Sequence, residues 1–170
     1  VVDIAETIVV ITDEDNETYL ENGTYETKYN ALVDPYLQIN DDDSVLYTSL
    51  DRASKAASAG DTIKVIKDVE IAYSQAFVQN KNVTFDINGH KVKYDYDTTA
   101  YSNVVVTDSV GTGKLTLAKD FVFRNGGTIN SIDIENLYST VIRNEDYYRA
   151  LTVKNCTILS NNTALASGLI

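Results

Sequence analysis

Three short segments carry one signature: VVVTD at 104–108, IDIEN at 132–136 and LTVKN at 151–155. Each alternates apolar and polar residues, then places Asn or Asp in a slot that alternation would turn inward. A period of two belongs to half-buried strands. The last two segments agree further, because the pairs Ile132/Leu151, Ile134/Val153, Asn136/Asn155 and Leu137/Cys156 all keep one constant spacing. From Val83 to Val104 to Ile132 the spacing is uneven, the second step being the longer. A ragged period near twenty is the pattern of solenoid coils whose loops vary in length.

Stacked coils explain why an amide or carboxylate follows two apolar residues. Successive coils lie at strand spacing, ~4.8 Å, so a polar side chain at one corner reaches the coils above and below. Asn also tolerates the left-handed backbone of a bend. Asp108, Asn136 and Asn155 are therefore expected to be structural corner residues that satisfy their polar atoms by stacking. Cys156, in the slot of Leu137, reads as a small buried hydrophobe.

The segment VTFDINGHKV (83–92) admits two courses. Asn88-Gly89 is a strong hairpin signal, and folding about it would pair Ile87 with His90, Phe85 with Val92, and Asp86 with Lys91. The same dipeptide can instead turn a corner and let the chain keep winding. The downstream repeats favour the corner, which makes Asn88 and Gly89 structural.

Only one segment has convincing helical period. TSLDRASKAASAGD offers Thr48 as N-cap with Asp51 at the capping-box position, apolar Leu50, Ala53 and Ala57, and Gly60 at the C-terminal stop. The rest reads as strand. YLQIN and VLYTSL flank the acidic turn DDDS, and DTIKVIKDVEIA alternates directly after the helix. Pro35 is the single proline, so little interrupts the strands downstream. Two parts follow: 1–45, a β-rich capping segment or the tail of a preceding module, and 46–170, the β-helix with a capping helix at about 49–59.

A net charge of −11, with 14 basic residues among 25 acids, argues against phosphate neutralisation, so no nucleic acid is expected as partner. No apolar run is long enough for a membrane span. A single Cys rules out a disulfide framework or a thiolate metal site. No residue is Met, which points to a processed chain or an excised segment.

YTSLDRASKAASAGDTIKVIKDVEI, followed by VTFDINGHKV and VTDSVGTGKLTL, resembles a module of large, adhesin-like surface proteins of gut-type Gram-positive bacteria. The resemblance spans about residues 47 to 160. It implies an all-β, right-handed parallel β-helix, a single-stranded solenoid, whose short N-terminal helix shields an open sheet edge. The alternative architecture is an antiparallel β-sandwich or meander. The resemblance also implies an extracellular setting, on the cell surface or secreted, with other domains of the same polypeptide as neighbours.

Chemistry is sparse. Folds of this kind include polysaccharide lyases and glycoside hydrolases, which need converging carboxylates or a basic residue beside an acidic cluster. The only histidine, His90, sits in the Asn-Gly turn, and Asp41-Asp42-Asp43 read as a solvated hairpin tip. Arg124, Arg143 and Arg149 are available, but no basic motif recurs near such a cluster. DEDNE (13–17) has the odd-position acids of a calcium loop without its Gly and Glu, so no cofactor is expected, with calcium the one ion left open. GTGK (111–114) is turn chemistry.

Tyrosine is the binding signal. There are 12, and YDYDTTAY places Tyr94 and Tyr96 on one strand face, with Tyr101 following and Tyr147 and Tyr148 in a later loop. Rings flanked by Asn and Asp suit sugars, since the ring covers the apolar sugar face and the polar groups take the hydroxyls. By parity with Val92, Tyr94 and Tyr96 also fit a core. The expected function is a non-catalytic module for adhesion or glycan contact; the alternatives are a polysaccharide-degrading enzyme and a structural spacer.

Overall fold

The computed structural model describes residues 19–21, 24–26, 35–77, 81–137 and 142–160. Two short strands, β1 (Tyr19–Glu21) and β2 (Thr24–Glu26), pair antiparallel. A second antiparallel hairpin, β3 (Leu37–Ile39) and β4 (Asp42–Tyr47), leads to the helix α1 (Leu50–Ala56). From there the chain winds as a parallel β-solenoid of about four turns.

Each turn contributes one strand to each of three sheets. The first coil supplies β5 (Thr62–Val65), β6 (Val69–Ile71) and β7 (Gln75–Phe77), and the second β8 (Val83–Asp86), β9 (Lys91–Tyr94) and β10 (Thr98–Ala100). The third supplies β11 (Val104–Thr107), β12 (Lys114–Leu117) and β13 (Phe121–Phe123), and the fourth β14 (Gly127–Asn130), β15 (Asp133–Asn136) and β16 (Ile142–Asn144). Two strands of a further coil follow, β17 (Leu151–Lys154) and β18 (Thr157–Ser160). All pairings between coils are parallel, which rules out the sandwich and the meander.

Stacking sets inward columns. In one sheet Ile63, Phe85, Val106, Ile129 and Val153 lie in register, so the coils are of nearly equal length. In another the column is Val69, Val92, Leu115, Ile134 and Ile158. The third carries Phe77, Ala100 and Phe123, where the small Ala100 leaves room for aromatic neighbours. Phe121 and Phe123 stack at 4.6 Å, and Phe77 meets Phe85 edge-on at 5.5 Å. Such pairs add about 0.5–1.5 kcal/mol each beyond the burial of their area.

The register corrects the repeat read from the sequence. Ile134 stacks on Ile158 and Val153 on Ile129, so IDIEN and LTVKN belong to different sheets. Val83 and Val104 do stack, one coil apart, but the next residue in their column is Gly127, not Ile132. Cys156 accordingly takes the place that Ile132 holds one coil earlier, and not that of Leu137. It is half-buried against the core, with its thiol on the Lys154 carbonyl.

Asn88-Gly89 turns a corner. Asn88 (φ 52°) and Gly89 (φ 79°) form a left-handed turn closed by the His90 N–H on the Ile87 carbonyl, and β8 and β9 then enter different sheets. This is hairpin-turn chemistry used without a hairpin. Carboxylates brace the corner column. Asp108 is buried and accepts the amides of Gly89 (2.7 Å), Val110 (3.2 Å) and Gly113 (2.7 Å), while Asp86 accepts those of Asn88 and Ser109. Asn155 (φ 54°) sits at the same corner and donates to Asn130 of the coil before. Asn136 differs from expectation: it ends β15 facing inward between Leu117 and Ser160 in register, 1% exposed, with neither amide atom partnered among the described residues.

The first coil is covered on two sheets. β3 pairs antiparallel with β5. α1 lies against β7, where Asp51 accepts the Ala76 amide and the Ser54 hydroxyl reaches the Ala76 carbonyl. Its stripe of Leu50, Ala53 and Ala57 is buried as the periodicity requires. Its cap is Ser49, not Thr48, because the Ser49 side chain accepts the Arg52 amide. It ends with Ala57 as C-cap, before Gly60, whose positive φ serves the turn into β5. Asp41 does turn the β3–β4 hairpin at its tip.

Candidate functional site: a tyrosine- and arginine-bearing face

β7, β10, β13 and β16 form a narrow sheet of short strands, and alternation turns Ala76, Thr99, Val122 and Arg143 to its outer side. These form a column along the coil axis, small at one end and cationic at the other. Val122 points outward yet is only 4% exposed, so its neighbours on this face cover it.

One flank is a second column. The amides of Tyr101, Arg124 and Glu145 donate to Phe77, Ala100 and Phe123, which continues the ladder past the strand ends and lines the three side chains up on successive coils. The Arg124 guanidinium lies over the Tyr101 ring at 5.4 Å. Glu145 then accepts from two arginines, Arg124 Nε at 3.1 Å and Arg143 Nε at 3.2 Å, and Arg143 reaches across to Asp120 at 3.5 Å. The opposite flank holds Asp97 and Asp120 on neighbouring coils, with the Asp120 amide on Asp97 Oδ1. An exposed network of this kind adds little stability, but it fixes two guanidinium groups in place.

The loop after β16 closes the face. Asn144 accepts the Asp146 amide and donates to the carbonyls of Asp146 and Arg149. Asp146 accepts the amides of Tyr148 (2.7 Å) and Arg149 (3.1 Å), and these bonds, the Tyr148 amide foremost, hold its carboxyl below the usual range. Arg149 is tied to Asn125 of the preceding coil. This pinned backbone projects Tyr147 and Tyr148 at 98% and 97% exposure. Two adjacent rings are thereby left in solvent beside polar groups.

The structure thus brings together Tyr101, Arg124, Glu145 and Arg143, and carries Tyr147, Tyr148 and Arg149 on the loop that directly follows Glu145. Tyr94 does not belong with them: it lines the interior of β9, fully buried, where burial raises its hydroxyl pKa, so no ligand reaches it. Nor does it share a face with Tyr96, which lies beyond the strand end at the corner, 50% exposed. Tyr96 instead stands in register with Tyr73 of the first coil, a residue that reading the sequence passed over; their separation by one coil was the available signal. Tyr73 donates its hydroxyl to the Thr48 carbonyl, which steadies it at the edge of the face.

His90 is a corner residue with a partnered ring, Nδ1 lying 3.2 Å from Asp68. Asp68 also accepts the Lys91 amide, the larger cause of its lowered pKa. Gly111 turns a corner at positive φ, and Lys114 pairs with Glu135. Among the described residues no three His, Cys, Asp or Glu side chains gather as ligands for a metal ion. The acidic stretch 13–17 lies outside the described residues. No described helix is long and apolar enough to cross a membrane. Compared with protein-family models, curated proteins and solved structures, the chain matches none.

Proposed function

We propose that the chain is a non-catalytic, extracellular β-solenoid module that contacts glycans of a host or cell surface through its tyrosine- and arginine-bearing face, as part of a larger bacterial surface protein of the kind its motifs resemble. The observation that carries this reading is the near-complete exposure of Tyr147 and Tyr148 on a loop whose backbone is fixed by Asn144 and Asp146. A ring carried on a fixed backbone leaves only its two side-chain torsions to be ordered when a sugar stacks on it, and the neighbouring Arg, Asp and Asn groups supply directional bonds. A parallel solenoid suits this task, because each coil adds a register-matched row of side chains to a rigid face.

The test is a glycan-array screen with the whole chain, with and without Ca²⁺, beside the double variant Tyr147→Ala/Tyr148→Ala. Reproducible binding by the parent, lost in the variant at unchanged thermal stability, supports the proposal. Release of oligosaccharide products would replace it with the polysaccharide-degrading alternative. Silence across plant, mucin and bacterial glycans, with no products, would leave the spacer.

A further inference from the structure

Of the four arginines in a chain of net charge −11, Arg124 and Arg143 meet at Glu145 beside Tyr101, and Arg149 lies on the loop that follows, with Tyr147 and Tyr148. Arg124, Arg143 and Arg149 keep 49%, 51% and 63% of their side-chain surface exposed, although each has a carboxylate partner. Glu145 sits between Arg124 and Arg143 and holds both by Nε, itself 37% exposed. Two guanidinium groups converging on one carboxylate present the donors that a carboxylate takes up, and the one now present belongs to a partly exposed surface side chain.

We infer that the sugar contacted by this face carries a single carboxylate, which takes the position between Arg124 and Arg143 that Glu145 holds in the free chain; this rests on the glycan-contact reading above. The guanidinium fork matches a carboxylate in both spacing and planarity. A long polyanion is disfavoured. Beyond the Debye length of about 8 Å at physiological salt it would run over the acidic remainder of the surface. A ligand with one terminal acidic sugar presents a single charge to Asp97, Asp120 and the displaced Glu145, and so meets less repulsion than a polyanion does. Tyr147 and Tyr148 then stand beside the same sugar's apolar face.

The experiment titrates the whole chain with sialyllactose, a glucuronate-terminated disaccharide, lactose and polygalacturonate. The first two separate the sources of the carboxylate. Preference for either over lactose is expected, with affinity falling about tenfold in Arg124→Gln/Arg143→Gln, as loss of charge-assisted bonds implies. Glu145→Gln removes the internal competitor and is expected to tighten binding about threefold, an effect that a merely structural role for the network does not produce. Thermal unfolding of each variant checks that the fold is retained. Equal binding of lactose, with neither substitution changing affinity, overturns the inference while leaving glycan contact standing. Binding of polygalacturonate alone overturns it as well, and binding of no saccharide at all overturns the glycan reading itself.

Discussion

Asp108 on the third coil holds the Gly89 amide of the second, Oδ1 to N at 2.7 Å, and with its other oxygen holds Gly113 on its own coil. One buried carboxylate thus fixes two successive corners. Asp108→Ala leaves three amides without that acceptor and is expected to destabilise the chain by about 3 kcal/mol or more, at about 1.5–3 kcal/mol per bond to a charged group, with incomplete additivity. Urea unfolding checks it, with Asp133→Ala, an exposed residue, as the control expected to stay within about 0.5 kcal/mol.

Asn136 is the opposite case. Its amide is buried without a partner, in a column whose neighbour one coil earlier is Leu117. Asn136→Leu removes the desolvation penalty and adds apolar contact, so stability is expected to rise by about 1–3 kcal/mol. A fall in the unfolding midpoint would mean that the amide is satisfied after all.

Acid is expected to weaken the chain modestly, because the carboxylates concerned lie at the surface. Asp42, Asp61, Asp68 and Asp146 have pKa values below normal, held there mainly by hydrogen bonds: from Ser44 to Asp42, from Asn40 to Asp61, and from the amides of Lys91 and Tyr148 to Asp68 and Asp146. Their contribution is complete above the unfolded value of about 3.9 and is lost as pH falls through the lower folded values. Asp51 runs the other way: burial raises its pKa, so its contribution is largest below about pH 3.9 and fades as pH climbs through the raised value. Four groups oppose one, and stability is expected to drop below about pH 4. Asp51→Asn keeps an acceptor for the Ala76 amide without a charge, and is expected to flatten the profile just above about pH 4.

Asp146→Ala tests the loop. It removes the acceptor of the Tyr148 and Arg149 amides, and is expected to speed hydrogen exchange at both while changing the unfolding midpoint little, since the loop is exposed. Glycan affinity should fall toward that of Tyr147→Ala/Tyr148→Ala.

Period-two alternation and one amphipathic stripe made the strands and the helix legible in the sequence, because each inward column needs apolar residues at fixed parity, and the winding was legible in the recurrence of the apolar-x-apolar segments. Register was not legible, and Gly127 shows why. It occupies an inward slot of the Val83–Val104 column, where a Cβ would stand 2.7 Å from a ring carbon of Phe123 and 2.9 Å from the Val104 carbonyl. An apolar-x-apolar search skips a glycine and jumps to Ile132 in the next sheet. Gly127→Ala is accordingly expected to cost about 1–3 kcal/mol through overpacking. Exposed Tyr147 and Tyr148 were legible because a turn-forming Asn-Glu-Asp precedes them. The pairing of Tyr101 with Arg124 was not, since it depends on which coil lies beside which.

The most direct measurement is an NMR titration of the chain carrying ring-labelled tyrosine with the best-binding saccharide from the array. Glycan contact through this face predicts that ring signals of Tyr147, Tyr148 and Tyr101 shift together and saturably, while buried Tyr36 and Tyr94 stay in place. Shifts confined to Tyr73 and Tyr96, with Tyr147 and Tyr148 unmoved, would contradict it.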